Sequence, residues 1–337
     1  MIAYHEDSFD SGGAFTTRSQ YYGAGAGTPR VLFDGTIERR GGLPSGSMYS
    51  QYVYPYDQAA AVSPTVDFSL SLESANQVRV EIANTSSQRL SGVLHVALVE
   101  RHRFYRWMDM DIVDFVCRAM LPNAAGQTMT LDPGANAAST QQFSVQPDWN
   151  YCSIVVFFQA TDKRILQGAM LPLESTIPTI KMSGGPATGA MWLRNSAHSI
   201  AWSSDRPLGA VQVEYSDNGG QSWKAIQTAS SGTGQYSWTV PQINSSQCLL
   251  AVSDPYGGTR AVSGLFAIGY KGDFNADGVI NEVDRRLLTE YLLENKAFLL
   301  PGADLNEDGV VDILDLVYFE TLLPKTGAAV QIKKLRR

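Results

Sequence analysis

The chain has little cysteine, and its three cysteines suit few kinds of cysteine chemistry. Cys117, Cys152 and Cys248 are too few for a disulfide scaffold and stand at no zinc-ligand spacing. No cysteine precedes Cys117, so the chain holds no Cys-x-x-Cys pair to supply a redox thiolate. Cys117 and Cys152 each lie in a strand-like run, which leaves two readings: a facing pair bridged after export, or three buried free thiols. Long apolar runs are missing as well, since nothing reaches the ~18 apolar residues of a membrane helix. Met1-Ile2-Ala3-Tyr4-His5 has neither the charged nor the apolar region of a signal peptide, and we expect a truncated start. Basic residues cluster only in Lys333-Lys334-Leu335-Arg336-Arg337, and the net charge is -7, which argues against nucleic acid as a partner.

What is present is apolar and small-polar. Of 337 residues 44% are hydrophobic and only 18% charged, enough for packed cores over two or three domains at roughly 100–200 residues each. Glycine, serine, threonine and asparagine are plentiful, as in exported β-rich proteins.

The strongest signal is a pattern written twice. Oxygen-bearing side chains stand at loop positions 1, 3, 5, 9 and 12, in Asp273, Asn275, Asp277, Asn281 and Asp284, then in Asp304, Asn306, Asp308, Asp312 and Asp315. Gly278 and Gly309 hold position 6, and Val279 and Val310 hold position 7, where a backbone carbonyl serves as a ligand. A hard cation takes six to eight oxygens, and this spacing supplies them, so two calcium ions are expected. After loop one, Val283, Leu287, Leu288, Tyr291 and Leu292 recur at helical spacing. After loop two, Leu316, Val317, Phe319 and Leu322 do the same.

A calcium loop followed by a single helix, twice, with Asp at position 12, resembles a dockerin domain over Gly272 to Leu323. The resemblance implies that calcium orders the loops and that the helices then dock onto a cohesin on a scaffold or cell-surface partner. In dockerins, partner choice rests on loop positions 10 and 11, here Glu282, Val283, Ile313 and Leu314. They differ from the Ser/Thr pair of many clostridial dockerins.

The rest reads as mainly β. Residues 1–62 carry a short strand, a helix ending at Tyr22, a strand around Val31 and a helix from Ser47 to Ala61. This order resembles the second half of a thioredoxin-like domain, with Thr28-Pro29 as its cis-proline step, in bacterial surface proteins related to outer-membrane lipoproteins. Without cysteines it is expected to be a partial, redox-inactive segment. Residues 63–175 show alternating runs at Val66–Leu72 and Gln77–Ile82 and a dense strand at Gly92–Glu100, with further strands at 113–119, 126–131, 139–145 and 151–159. They resemble the immunoglobulin-like domain of the same surface proteins. A linker, Leu171 to Pro178, leads to a second immunoglobulin- or fibronectin-like sandwich over 176–269. The dockerin then spans 270–324 and a basic tail 325–337.

Ser216-Asp217-Asn218-Gly219-Gly220-Gln221-Ser222-Trp223 resembles the Asp-box turn of sialidases, whose job is to close a hairpin. Exposed members of Trp192, Trp202 and Trp238 would stack on sugars; buried ones are core. His5, His95, His102 and His198 are given structural or solvated roles, and Asp109, Asp111 and Asp114 a solvated face. Leu323-Pro324-Lys325-Thr326-Gly327 matches the sortase pattern, but only Ala328 to Ile332 separates it from the basic tail. A helix stopped at Pro324 and a frayed tail are expected.

The leading expectation is a non-catalytic extracellular or cell-surface protein, docked by its C-terminus, within a polysaccharide-degrading assembly. The alternatives are a fragment of an exported thiol-disulfide oxidoreductase and a carbohydrate-binding protein.

Overall fold

The computed structural model describes residues 2–4, 13–23, 29–43, 46–107, 110–230, 234–293, 300, 302–323 and 330–331. The chain divides into two compact units, Met1–Ile177 and Pro178–Arg337.

The first unit runs α1 (Ala14–Tyr22), β1 (Arg30–Phe33), β2 (Ile37–Arg40), α2 (Tyr49–Ala60), β3 (Val66–Ser74), β4 (Gln77–Asn84), β5 (Leu90–Glu100), β6 (Arg103–Trp107) and β7 (Met110–Val113). It continues with β8 (Val116–Leu121), β9 (Gln127–Leu131), β10 (Asn136–Gln142), β11 (Cys152–Ala160) and β12 (Ile165–Pro172). Sheet β10-β4-β3 faces sheet β12-β11-β5-β8, whose β5 also pairs with β9. Between them lies one apolar core, with Val78, Val80 and Ile82 of β4 meeting Leu94, Val96, Leu98, Ile154, Val156 and Phe158. Alternation places these residues on one face of each strand.

Yet β11 is buried along almost its whole length, because its outer face is covered too. Ala14 of α1, with Ile2 and Tyr4, packs on Ala97, Val99, Cys117, Met120 and Val155. Ala3 bridges β8: its N–H donates to the Phe115 carbonyl at 2.7 Å, and its carbonyl accepts from Cys117 at 2.9 Å. Arg18 is buried against the sheet, donating to Gln159 Oε1 at 2.8 Å and lying 3.2 Å from His95 Nε2. The thioredoxin-like reading of residues 1–62 is therefore not supported. Residues 2–4 and α1 instead supply an outer layer on the first sandwich, which period-based reading of a short stretch does not reveal. The Thr28-Pro29 step lies outside the described residues.

The second unit holds β13 (Ile180–Gly184), β14 (Met191–Leu193), β15 (Ala197–Ser204), β16 (Ala210–Ser216), β17 (Lys224–Ser230), β18 (Gln235–Thr239), β19 (Ser245–Ser253), β20 (Arg260–Val262) and β21 (Phe266–Gly269). Sheet β13-β15-β18 faces sheet β14-β21-β19-β16-β17, with β20 at the side of β19. Trp192, Trp202 and Trp238 are 6–7% exposed within the shared core, so they serve packing rather than sugar stacking. Trp192 stacks on His198 with centroids 4.0 Å apart.

The Asp-box-like turn closes the β16–β17 hairpin. Gly220 donates to Ser216 Oγ at 2.9 Å, Ser222 donates to Asn218 Oδ1 at 3.0 Å, and Trp223 Nε1 donates to the Gly220 carbonyl at 3.1 Å. Its role here is structural.

The unit ends with β22 (Val279–Ile280), α3 (Glu282–Leu293), α4 (Ile313–Leu322) and β23 (Val330–Gln331). β23 pairs antiparallel with β22, while the basic run 333–337 lies outside the described residues. Pro324 to Gly327 lie outside the described residues, as do His5 and Asp109.

The three cysteines are buried and lie outside any disulfide. Cys117 lies opposite Val99 and Cys152 opposite Glu100, on the two sides of β5, so a whole strand separates them. One faces the outer apolar layer and the other the sandwich core. The bridged reading is corrected accordingly. Burial also pushes the Cys248 thiol up to about 11, away from reactivity.

Candidate metal centre

Loops one and two fold alike, hydrogen bond for hydrogen bond. Asp273 Oδ2 accepts the Gly278 N–H at 2.8 Å, and Asp304 Oδ2 accepts that of Gly309 at 2.9 Å. Asn275 and Asn306 each accept, through Oδ1, the N–H two residues on at 3.0 Å. Asp277 Oδ1 accepts from Val279 at 2.8 Å, and Asp308 Oδ1 from Val310 at 2.9 Å. Asn281 and Asp312 each cap the following helix at 2.7 Å, through the N–H of Val283 and Leu314. These side chains are short enough to bond their own backbone, which is what a tight loop asks of Asp and Asn. Gly278 and Gly309 have φ of 87° and 88°, a left-handed region that a β-carbon resists.

Position 12 ties loop to helix. Asp284 Oδ1 accepts from Phe274 at 2.8 Å while Oδ2 accepts from Asn281 at 2.9 Å. Asp315 repeats this with Leu305 at 2.6 Å and Asp312 at 2.8 Å, which completes a capping box for α4. Both carboxylates are fully buried. Loop spacing alone reveals neither their burial nor their capping; the signal for the cap is the Asp three places after Asn281 and Asp312.

Electrostatics in loop one favour a cation. Burial pushes the Asp273 carboxyl up to about 6, against the stabilising N–H of Gly278, and the charges of Asp284 and Asp277 add to the rise. Burial also raises Asp284, opposed by the amides of Asn281, Asn275 and Phe274. Carboxylates buried together are relieved by a proton or by a cation. Among the described residues no three His, Cys, Asp or Glu side chains form a metal cluster. Two of the five side-chain donors in loop one are Asn275 and Asn281, and Val279 would add a carbonyl. An all-oxygen, amide-containing donor set fits a hard cation of the calcium type.

The two helices pack through Phe274, Leu288, Leu305 and Phe319, with the Phe274 and Phe319 rings stacked at 5.7 Å. Their outer faces differ. On α3, Glu282 is ion-paired with Arg285 Nε at 2.7 Å. On α4, Ile313 is 62% exposed, Leu314 54% and Val317 60%, with Tyr318 beside them. Helical spacing groups Val283 and Val317 with the apolar face, but both point to solvent. Leu316 and Leu322 pack inward with Phe319.

Residues 271–323 match the model of the dockerin type I domain. No curated protein matches the chain. Similar solved structures include the fibronectin(III)-like modules of CbhA from Clostridium thermocellum, at 12% identity and TM-score 0.21, over 60% of this chain and 93% of that one. Red sea bream transglutaminase shares 13% identity at TM-score 0.29, over 68% of this chain and 34% of its own length. A β-D-mannosidase from Dictyoglomus thermophilum shares 8% at 0.23, over 64% and 23%. Likeness at this level assigns neither a fold nor an activity.

Proposed function

We propose that residues 270–324 bind two calcium ions and attach the chain to a cohesin-bearing partner, outside the cell or at its surface. The observation that carries this is the duplicated loop geometry within a segment that matches the dockerin type I model. Asp273, Asn275, Asp277, Val279, Asn281 and Asp284 would hold one ion; Asp304, Asn306, Asp308, Val310, Asp312 and Asp315 would hold the other. Bound calcium would neutralise carboxylates that repel one another and so couple ion binding to the folding of each loop.

The protein's own residues do the rest. The aspartates at position 12 fix each helix to its loop, and Phe274 and Phe319 hold the helices together. Ile313 and Leu314, extended by Val317 and Tyr318, would form the docking face, with Glu282 and Val283 as their counterparts on α3. An apolar, unpaired helix face is the stronger candidate for a buried interface centre.

We further propose that the sandwiches over 63–175 and 176–269 are non-catalytic cargo or spacer domains, and that the assembly served is one that degrades polysaccharide. The test is pull-down of the full chain on immobilised cohesin domains, with calcium and with chelator. Retention only with calcium supports the reading; no retention by any cohesin contradicts the docking part of it.

A further inference from the structure

Loops one and two share their internal hydrogen bonds but not their surroundings. A Cβ on Gly278 would lie 3.1 Å from Asn244 Nδ2, whereas one on Gly309 would meet nothing within 4 Å among the described residues. Asn244 belongs to the sandwich, in the turn between β18 and β19, and is itself held in place. Arg194 Nη1 donates to Asn244 Oδ1 at 3.3 Å, and the Arg194 guanidinium lies 4.6 Å from the centre of the Tyr270 ring. The Tyr270 carbonyl in turn accepts the N–H of Asp273 at 3.1 Å. A second anchor lies in the connector between the repeats. There Gly302 donates to the Gly189 carbonyl at 3.2 Å, so close to β14 that a Cβ would stand 2.5 Å from Met191 Cβ. Asp273 is fully buried, while Asp304 keeps contact with solvent.

We propose that Asn244 is a positioning residue for the first calcium loop, so that the sandwich raises the affinity of loop one and leaves loop two unaffected. The inference rests on the calcium reading above. A loop whose sharp turn is braced against a rigid neighbour loses less freedom when it closes around an ion, and so binds it more tightly. Among the described residues, loop two has no such brace at its glycine. Coupling of this kind is reciprocal: whatever the sandwich adds to calcium affinity, calcium returns as stability of the sandwich. The calcium module is thus joined to the domain before it as one cooperative body, and calcium reaches beyond the loops that hold it.

The test is calorimetric titration of the chelator-stripped full chain with calcium, for the wild type, Asn244→Ala and Arg194→Ala. Amide hydrogen exchange in β19 gives an independent second readout. We expect two sites of unequal affinity, the tighter weakened on the order of tenfold by Asn244→Ala and the weaker unchanged, as for residues that orient metal ligands. Arg194→Ala should act in the same direction. Calcium should slow exchange in β19 in the wild type and in Asp304→Ala, but not in Asp273→Ala. Two sites that neither Asn244→Ala nor Arg194→Ala shifts, with β19 exchange indifferent to calcium, overturn this proposal and leave the calcium reading standing. A chain that binds no calcium overturns both.

Discussion

Asp273 Oδ2 accepts the N–H of Gly278 at 2.8 Å, so the first and sixth residues of the loop are joined by the protein's own bonds. The aspartate is fully buried, and its neighbours in charge are Asp284 and Asp277. Replacing Asp273 by Ala should remove one calcium site while leaving the other, and Asp304→Ala should do the converse. Circular dichroism with and without chelator checks that each variant still folds. Two sites retained in either single variant would contradict the ligand assignment.

Docking should depend on the α4 face. Ile313→Asp with Val317→Asp places charge where two exposed apolar side chains stand, and should weaken cohesin capture at least tenfold, about 1.4 kcal/mol or more. Glu282→Ala on α3 should change it little. Surface plasmon resonance on the full chain gives both numbers, and equal losses would mean that the two helices serve alike.

Acid should loosen the first unit through His95. Burial first, and Arg18 second, lower this imidazole from 6.5 to about 3. Between those values the unfolded chain binds a proton that the folded chain does not, so stability falls as pH drops below about 6.5. Each pH unit in that window costs up to about 1.4 kcal/mol. Urea midpoints from pH 7 to pH 4 should therefore fall less steeply for His95→Gln than for the wild type.

Glu100 holds a buried ion pair. It is 1% exposed, its Oε2 lies 3.3 Å from Arg118 Nε, and the Arg118 guanidinium covers Trp149 at 4.4 Å. Glu100→Ala leaves that guanidinium without its carboxylate and should destabilise the unit by about 3–5 kcal/mol. Thermal melts of the full chain read this out, and a loss under 1 kcal/mol would deny the pair its structural weight.

The duplicated loop geometry was legible because its signal is local: oxygens, glycine and apolar residue recur at fixed spacing, and spacing is all such a loop needs. The β character of the first sandwich was legible too, from alternation at Val78, Val80 and Ile82. What escaped notice is set by distant partners. The Ser153–Phe158 run could not say that an outer layer from residues 2–4 and α1 covers it. Helical spacing could not separate Phe319, which is buried, from Val317 two places before it, which is exposed. The cysteines looked pairable in sequence, yet β5 runs between them.

The central claim is that residues 273–315 hold two calcium ions. Its most direct test is calorimetric titration of the chelator-stripped wild type beside the Asp273→Ala, Asp304→Ala double variant. Two calcium ions per wild-type chain and none in a still-folded double variant are predicted. A wild type that takes up no calcium, or a double variant that binds as the wild type does, would contradict the account.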